Sequence, residues 1–79
     1  MRPDKKIKYS SGELWIGTSS WNSNVRSIKY AYLGGDYRIS RGSPEIRIDD
    51  LVEMLLFALK EKELSTIHRQ RILEMLDDQ

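Results

Sequence analysis

The sequence contains no cysteine and a single histidine among its 79 residues. Without cysteine there is no disulfide framework and no thiolate ligand for zinc, and one imidazole does not make a cluster of nitrogen ligands. We therefore expect neither a metal site nor any other cofactor. The chain is about half as long as an average domain, so residues 1–79 form one small domain that is too short for most self-contained enzymes.

Long apolar runs are also missing. The stretch from Leu51 to Leu59 is apolar at eight of nine positions, whereas a transmembrane helix needs about 20 apolar residues. The basic start, Met1 to Lys6, is not followed by the apolar segment of a secretory signal. Apolar residues make up 39% of the chain, which is lean for a core but too much for a disordered chain. We expect a folded cytoplasmic protein with no membrane segment, in which residues 1–4 and 78–79 are disordered.

Before residue 49 the apolar residues are mostly spaced by two, which is typical of strands with one face on a core. The spaced groups are Ile7 and Tyr9; Leu14 and Ile16; Ile28, Tyr30 and Tyr32; Tyr37 and Ile39; and Ile46 and Ile48. Glycine- and serine-rich breaks separate them, and Gly34-Gly35 is the clearest hairpin turn. The spacing predicts an antiparallel sheet of four to five strands over residues 5–48.

At Asp49 the apolar spacing changes to three and four, which indicates a helix. With Asp49 or Asp50 as the N-cap, the pattern predicts a main helix over residues 49–63 whose face covers the sheet. Ser65 is the expected N-cap of a second helix over residues 65–77. The predicted fold class is α+β: a curved antiparallel sheet of four to five strands, then one long apolar helix and a shorter C-terminal helix.

The main helix has more apolar surface than one contact uses. Its apolar residues span an arc of about 200°, against the roughly 100° stripe of a one-sided surface helix. The excess must pack on the final segment or on a second copy of the protein. We expect a homodimer, because a core this small supplies only about 3–5 kcal/mol. The expected interface residues are Met54, Leu55, Phe57, Ala58 and Leu59.

Charge is divided unevenly along the chain. Residues 1–42 contain eight basic and three acidic residues, a net charge of +5, and residues 43–79 contain five and nine, a net charge of −4. Six of the seven aromatic residues lie between positions 9 and 37, in the basic half. If the regular apolar positions face the helix, the opposite face presents Lys6, Lys8, Trp15, Lys29, Arg38 and Arg47.

Aromatic rings among cations suit single-stranded nucleic acid, because unpaired bases stack on the rings while Lys and Arg neutralise phosphates. This predicts a binding site on the sheet for single-stranded DNA or RNA. Trp21, in a polar loop, is either an exposed contact residue or a side chain folded over the sheet edge. The candidate binding residues are Lys6, Lys8, Trp15, Trp21, Arg26, Lys29, Tyr30, Tyr32, Arg38 and Arg41.

Residues 5–62 also resemble a PUR repeat in architecture. The resemblance rests on Glu13-Leu14-Trp15-Ile16 before a polar turn, Arg26-Ser27-Ile28-Lys29-Tyr30-Ala31 as the next strand, Tyr37-Arg38-Ile39-Ser40 after a glycine turn, and Glu45-Ile46-Arg47-Ile48-Asp49-Asp50 entering the helix. The order is similar to that of the whirly-type, coactivator-like modules that bind single-stranded DNA. The resemblance implies pairing through the helix and binding of single strands on the curved sheet, in a role such as transcription regulation.

A different class of function stays open. Trp, Tyr and Arg also anchor protein interfaces, so the same surface suits a small inhibitor or adaptor of phage or plasmid type, with an unidentified protein as its partner. An enzyme is not expected. His68 falls near Ile72 and Met75, where a packed imidazole explains it better than a general base. Glu45 and Arg47 are expected to form an ion pair at the sheet edge.

Overall fold

The structure is a computed structural model that describes residues 1–34, 38 and 43–79. Its elements, in chain order, are β1 (Arg2–Tyr9), β2 (Gly12–Thr18), β3 (Arg26–Tyr32), β4 (Ile46–Arg47), α1 (Ile48–Lys60) and α2 (Thr66–Asp77). The strands form one antiparallel sheet in the order β1-β2-β3-β4. This confirms the predicted α+β class, with the sheet before the helices. Gly35 of the predicted hairpin turn, and Tyr37 and Ile39 of the predicted strand, lie outside the described residues.

The first strand begins at Arg2, so residues 2–4 lie in the sheet instead of being disordered as predicted. Arg2 pairs with Thr18 and Pro3 with Gly17, and the register then shifts between Pro3 and Lys5. Asp4 is the extra residue, which makes this a β-bulge. Because β1 is an edge strand, Pro3 removes no hydrogen bond from the interior of the sheet. Beyond the bulge, the pairing of β1 with β2 continues without a further shift to Tyr9.

Gly17 marks the closest approach of β2 to the backbone of β1. A Cβ atom at this position would lie 2.6 Å from the Cα of Pro3 and closer still to the carbonyl oxygen of Arg2. Backbone atoms cannot move aside as the end of a flexible side chain can, so no side chain fits here. The glycine therefore allows the two strands to pair right up to the bulge.

Alternation along the strands divides the side chains between two faces. We name the first the lysine–tryptophan face, which carries Lys6, Lys8, Glu13, Trp15 and Lys29. We name the second the apolar face, which carries Ile7, Tyr9, Leu14, Ile16, Ile28, Tyr30 and Tyr32. The register pairs these residues within each face, for example Lys6 with Trp15 and Ile7 with Leu14. The division agrees with the spacing of two in the sequence.

Helix α1 follows β4 without a loop, and Arg47 is its N-cap residue. Asp49 and Asp50 therefore lie in the first turn and not at the N-cap as predicted. In the first turn their carboxylates still interact favourably with the positive end of the helix dipole. Arg47 donates two hydrogen bonds to Asp50, from Nε at 3.0 Å and from Nη2 at 2.8 Å. These bonds lower the pKa of Asp50. The predicted ion pair between Glu45 and Arg47 is thus replaced by one within the turn.

Helix α1 ends at Lys60, three residues before its predicted end, and the chain then turns at Lys62 with φ at 59°. The predicted N-cap of α2 is confirmed at Ser65. Its Oγ accepts the backbone N–H of His68 at 3.1 Å, and Nδ1 of His68 accepts the backbone N–H of Ser65 at 3.4 Å. This reciprocal pair is a capping box with His in the usual place of Glu or Gln. His68 is an exposed capping residue and not the packed imidazole that we predicted.

Very little apolar surface is covered within one chain. Across residues 1–34, 38 and 43–79, Ala31 is the one buried apolar side chain, and neither helix has a buried residue. In that part of the chain α1 contacts β3 and β4 but neither β1 nor β2, and α2 contacts no other element. Among the described residues the main helix therefore lies against the β3–β4 side of the sheet and does not cover the whole sheet as predicted. None of the helices described has the length and apolar content that crossing a bilayer requires.

Candidate functional site

Three side chains from three strands form a row at the centre of the lysine–tryptophan face. Lys6 on β1 lies opposite Trp15 on β2, and Trp15 lies opposite Lys29 on β3. The Nζ atom of Lys6 is 4.4 Å from the centre of the Trp15 ring, and that of Lys29 is 4.6 Å away. Both distances fall within the range of about 6 Å over which a cation interacts with an aromatic ring. One indole therefore has two ammonium groups against it.

A hydrogen bond within β2 holds the indole in place. The Nε1 atom of Trp15 donates to Oε1 of Glu13 at 2.9 Å. Glu13 is two residues earlier in the strand and so lies on the same face. The bond satisfies the only polar group of the indole and leaves the ring itself for other contacts. We did not single out Glu13 from the sequence, although its spacing of two from Trp15 on a strand is the signal that identifies it.

The accessible part of this face lies over β1 and β2. Lys6 and Lys8 are exposed, whereas Trp15 and Lys29 are half-buried. On the same side of β3, Ser27 and Ala31 are fully buried. Lys8 is opposite Glu13 in the register, so three lysines and one carboxylate leave this surface positively charged.

The structure places the predicted tyrosines on the other side of the sheet. Tyr30 is opposite Leu14, and both Tyr30 and Tyr32 belong to the apolar face. Tyr30 packs edge to face on Tyr9, with ring centres 5.6 Å apart and an interplanar angle of 79°. Its ring centre is also 5.6 Å from that of Tyr32. A ligand strand lying on Trp15 cannot reach these rings, so the structure does not bring the predicted aromatic residues together.

Trp21 lies in the loop between β2 and β3, and its side chain is 54% exposed. Backbone hydrogen bonds order the loop, from Ser19 N–H to the Val25 carbonyl at 2.9 Å and from Val25 N–H to the Asn22 carbonyl at 3.1 Å. Of the two alternatives for Trp21, the exposed side chain is the one observed. The loop extends from the end of the sheet beyond Thr18, so Trp21 is separate from the row around Trp15.

Of the three predicted arginines, Arg26 lies away from the lysine row. Arg26 forms an ion pair with Asp4, the bulge residue, and alternation puts it on the opposite side of β3 from Lys29. Arg38 is exposed, and its carbonyl oxygen accepts the backbone N–H of Gly34 at 2.7 Å. Arg41 lies outside the described residues. Of the ten candidate binding residues, the structure brings together Lys6, Lys8, Trp15 and Lys29.

Glu45, which we expected to pair with Arg47, instead ties the Trp21 loop to the start of β4. Its carboxylate accepts the backbone N–H of Ser20 at 3.0 Å and the Ser20 hydroxyl at 2.5 Å, and the Met1 ammonium group is 3.6 Å from Oε2. Burial raises the pKa of Glu45, but the hydrogen bonds from Ser20 and the Met1 charge together hold the pKa below its ordinary value. No sequence signal links residues this far apart.

The predicted dimer-interface residues all lie on α1 but differ in exposure. Met54, Phe57 and Leu59 are exposed, at 54%, 66% and 39%, whereas Leu55 and Ala58 are half-buried. Val52 and Leu56, which we did not predict, are also exposed, at 48% and 52%.

The lysine–tryptophan face offers groups that can make non-covalent contacts with a ligand. Its groups are ammonium ions, an aromatic ring and a carboxylate that is held by the indole N–H. These groups suit an anion joined to a flat ring. No group of three or more His, Asp or Glu side chains in the described ranges is placed to hold a metal ion. Comparison of the chain with protein-family models, with curated proteins and with solved structures found no match in any of the three.

Proposed function

We propose that this protein binds single-stranded DNA or RNA on its lysine–tryptophan face and acts as a regulatory protein in the cytoplasm. The observation that carries the proposal is the position of the Lys6 and Lys29 ammonium groups, 4.4 and 4.6 Å from the centre of the Trp15 ring. A nucleotide is a flat aromatic base joined to a phosphate. The row offers one partner for the base and two for the phosphates.

Binding requires both lysines to move off the ring. A cation on an exposed aromatic ring contributes about 0.5–1 kcal/mol, so the two together contribute about 1–2 kcal/mol, and a base stacked on an aromatic side chain contributes about 1–3 kcal/mol. Stacking of the base therefore offsets the loss of both cation contacts, and the new contacts of the ammonium groups with phosphates favour the bound state. The lysine stems are flexible, so the displaced groups stay within reach of the neighbouring phosphates.

The positions of the strands set the direction of the bound nucleic acid. Lys6 and Lys29 belong to the two strands that flank β2, and two strand spacings separate their backbones by about 10 Å. A nucleic-acid strand that crosses the sheet over Trp15 meets one lysine on each side. In a duplex the bases are stacked on each other and their faces are not available, so the ring selects single strands.

The test compares the two tryptophans. We expect a fluorescently labelled oligothymidylate to bind the wild-type protein more tightly as ionic strength falls, because phosphate contacts release counterions. Trp15→Ala should weaken binding by about 5- to 150-fold, the equivalent of 1–3 kcal/mol. Trp21→Ala is the matched control, and we expect it to bind almost as the wild type does. The absence of salt-sensitive binding to the wild type, or an equal loss in both variants, would contradict the proposal.

A further inference from the structure

The described residues leave much of the apolar face of the sheet uncovered. Ile7 is 58% exposed, Tyr9 56% and Ile16 36%, and neither helix reaches β1 or β2 in the described part of the chain. Folded proteins rarely leave an apolar patch this continuous open to water. A sheet face of this kind is the expected contact surface of another element.

Helix α1 has the complementary surface. Val52, Leu56 and Leu59 recur at spacings of four and three, so they form one stripe along the helix, and they are 48%, 52% and 39% exposed. The half-buried Leu55 and Ala58 lie to one side of this stripe. The described part of the chain therefore presents two largely open apolar surfaces, one on the sheet and one on the helix.

We infer that the protein forms a reciprocal dimer in which the Val52–Leu56–Leu59 stripe of each copy packs on the apolar sheet face of the other. The inference does not rest on nucleic-acid binding, because the lysine–tryptophan face is on the opposite side of the sheet. With Ala31 as the one buried apolar side chain among the described residues, a separate copy lacks the core that a domain of this size needs. In the reciprocal dimer, each helix stripe and the sheet face under it form an apolar core, so the dimer has two such cores.

The dimensions of the two surfaces agree. Helix α1 has 13 residues, and at a rise of 1.5 Å per residue it is about 20 Å long. The outer strands of a four-stranded sheet are about 14 Å apart. A helix laid across the strands of the second copy therefore spans the sheet from β4 to β1 and covers Ile7 as well as Ile28.

Charge also favours a second copy over an unrelated partner. Lys6, Lys8 and Lys29 lie on the opposite face of the sheet, so the charges that matter here are those beside the apolar face and beside the helix stripe. Lys5 lies in the same register row as Ile16 and Ile28 on the apolar face, and two acids, Asp49 and Glu53, with one base, Lys60, border the helix stripe. Placing the helix of one copy on the sheet of the other brings these opposite charges together at the rim. Because the two helix-to-sheet contacts join the same pair of copies and are related by a two-fold axis, the assembly closes at two chains.

The first measurement is the mass of the wild-type protein by size-exclusion chromatography with light scattering. We expect twice the monomer mass of 9.3 kDa, with dissociation only on dilution. A monomer at every concentration would overturn the inference and would favour another protein as the occupant of the face. No variant is needed for this result, so a folding failure cannot obscure it.

The second measurement identifies the surfaces in contact. The chain has no cysteine, so single cysteines can be introduced without a background thiol. Mixing Ile7→Cys protein with Leu56→Cys protein under oxidation should give a disulfide-linked heterodimer. Phe57→Cys, about 100° around the helix from Leu56, is the matched control and should cross-link to Ile7→Cys at least tenfold less.

Each outcome of the cross-linking experiment decides the geometry. A linked Ile7→Cys and Leu56→Cys pair supports the exchange, provided that the two proteins have the circular dichroism of the wild type. Efficient homodimer linkage of Leu56→Cys alone, with no link to Ile7→Cys, would overturn it in favour of helix-to-helix pairing. Oligonucleotide binding is measured separately, and its loss would leave this result unchanged.

Discussion

Lys6 and Lys29 belong to strands that do not pair with each other, yet both place their ammonium groups within 4.6 Å of the centre of one indole ring. The ring belongs to Trp15 on the strand between them, and the antiparallel register aligns the three residues. A shift of β1 by one residue would put Ile7 or Lys5 opposite Trp15 and turn Lys6 to the apolar face. The candidate site therefore depends on the bulge at Asp4 and the close strand approach at Gly17.

Removing the two lysines of the row should weaken the salt dependence of binding. Each phosphate contact on a single strand contributes about 0.7 to the slope of log affinity against log salt concentration. The double variant Lys6→Gln and Lys29→Gln should therefore lower the slope by about 1.4. The measurement is an oligonucleotide titration at several salt concentrations.

The control for the Lys6 and Lys29 double variant is a second double variant that loses two positive charges outside the lysine–tryptophan face. Lys60→Gln and Lys62→Gln removes two lysines at the end of α1 and should leave the slope close to that of the wild type. An equal loss in both double variants would mean that net charge, and not the lysine row, governs binding.

Truncation of Tyr30 should affect stability and not binding. Tyr30→Ala removes two aromatic contacts, with Tyr9 and with Tyr32, and we expect the free energy of unfolding to fall by about 1–3 kcal/mol. Urea denaturation measures this loss. Oligonucleotide affinity, measured where the variant is fully folded, should stay within about twofold of the wild type, since a surface that is not contacted contributes little. A tenfold loss of affinity in the folded variant would place nucleic acid on the apolar face.

A side chain at Gly17 should destabilise the sheet. The Cβ atom of Gly17→Ala would lie 2.6 Å from the Cα of Pro3, so β1 and β2 must separate. We expect a loss of about 1–3 kcal/mol in the free energy of unfolding, as for other insertions into packed sites. Ser11→Ala, in the exposed turn between the same strands, should change stability by less than about 0.5 kcal/mol. An unchanged melting temperature in the glycine variant would contradict the strand pairing at residues 2–4.

Glu45 should make the stability of the protein depend on acid pH. The hydrogen bonds from Ser20 lower the pKa of Glu45 in the folded protein. The ionised carboxylate therefore stabilises the fold fully above the unfolded pKa of about 4.3, and this stabilisation is lost as pH falls through the folded pKa. Glu45→Gln should be less stable than the wild type at neutral pH and should lose less stability on acidification. Denaturation at a series of pH values measures both effects.

Two further variants separate the loop contact from a general effect of charge. Ser20→Ala removes the hydroxyl donor and should reproduce part of the Glu45→Gln result. Glu63→Gln makes the same charge change in the exposed turn between α1 and α2 and should keep the acid dependence of the wild type. If Glu63→Gln and Glu45→Gln behave alike, the contact with Ser20 does not stabilise the loop.

Local sequence signals predicted the elements and the two faces of the sheet. Alternation assigned Trp15 to the face opposite Leu14 and Ile16, and the register confirms this. Ser65 was identified because an N-cap depends on residues within one turn. The same alternation places Tyr30 on the face of Ile28, opposite to Trp15. The prediction of one site for all the aromatic residues did not take this into account.

Long-range features were not predictable in the same way. The start of β1 at Arg2 depends on a bulge, and Arg2-Pro3-Asp4 has no alternation that would indicate a strand. The contact between Glu45 and Ser20 joins residues 25 positions apart. An apolar stripe indicates that a helix packs on another surface but does not identify that surface. The sequence therefore could not show that α1 contacts neither β1 nor β2 in the described part of the chain.

The most direct test of base stacking on the sheet uses Trp15 as its own reporter. The chain has two tryptophans, so Trp21→Phe leaves Trp15 as the single indole. If bases stack on Trp15, its fluorescence should be quenched as oligothymidylate is added, and quenching should saturate at the same concentration as the anisotropy of the labelled strand. Trp15 emission that stays constant while the strand binds, or a strand that does not bind at low ionic strength, would show that nucleic acid does not stack on this face.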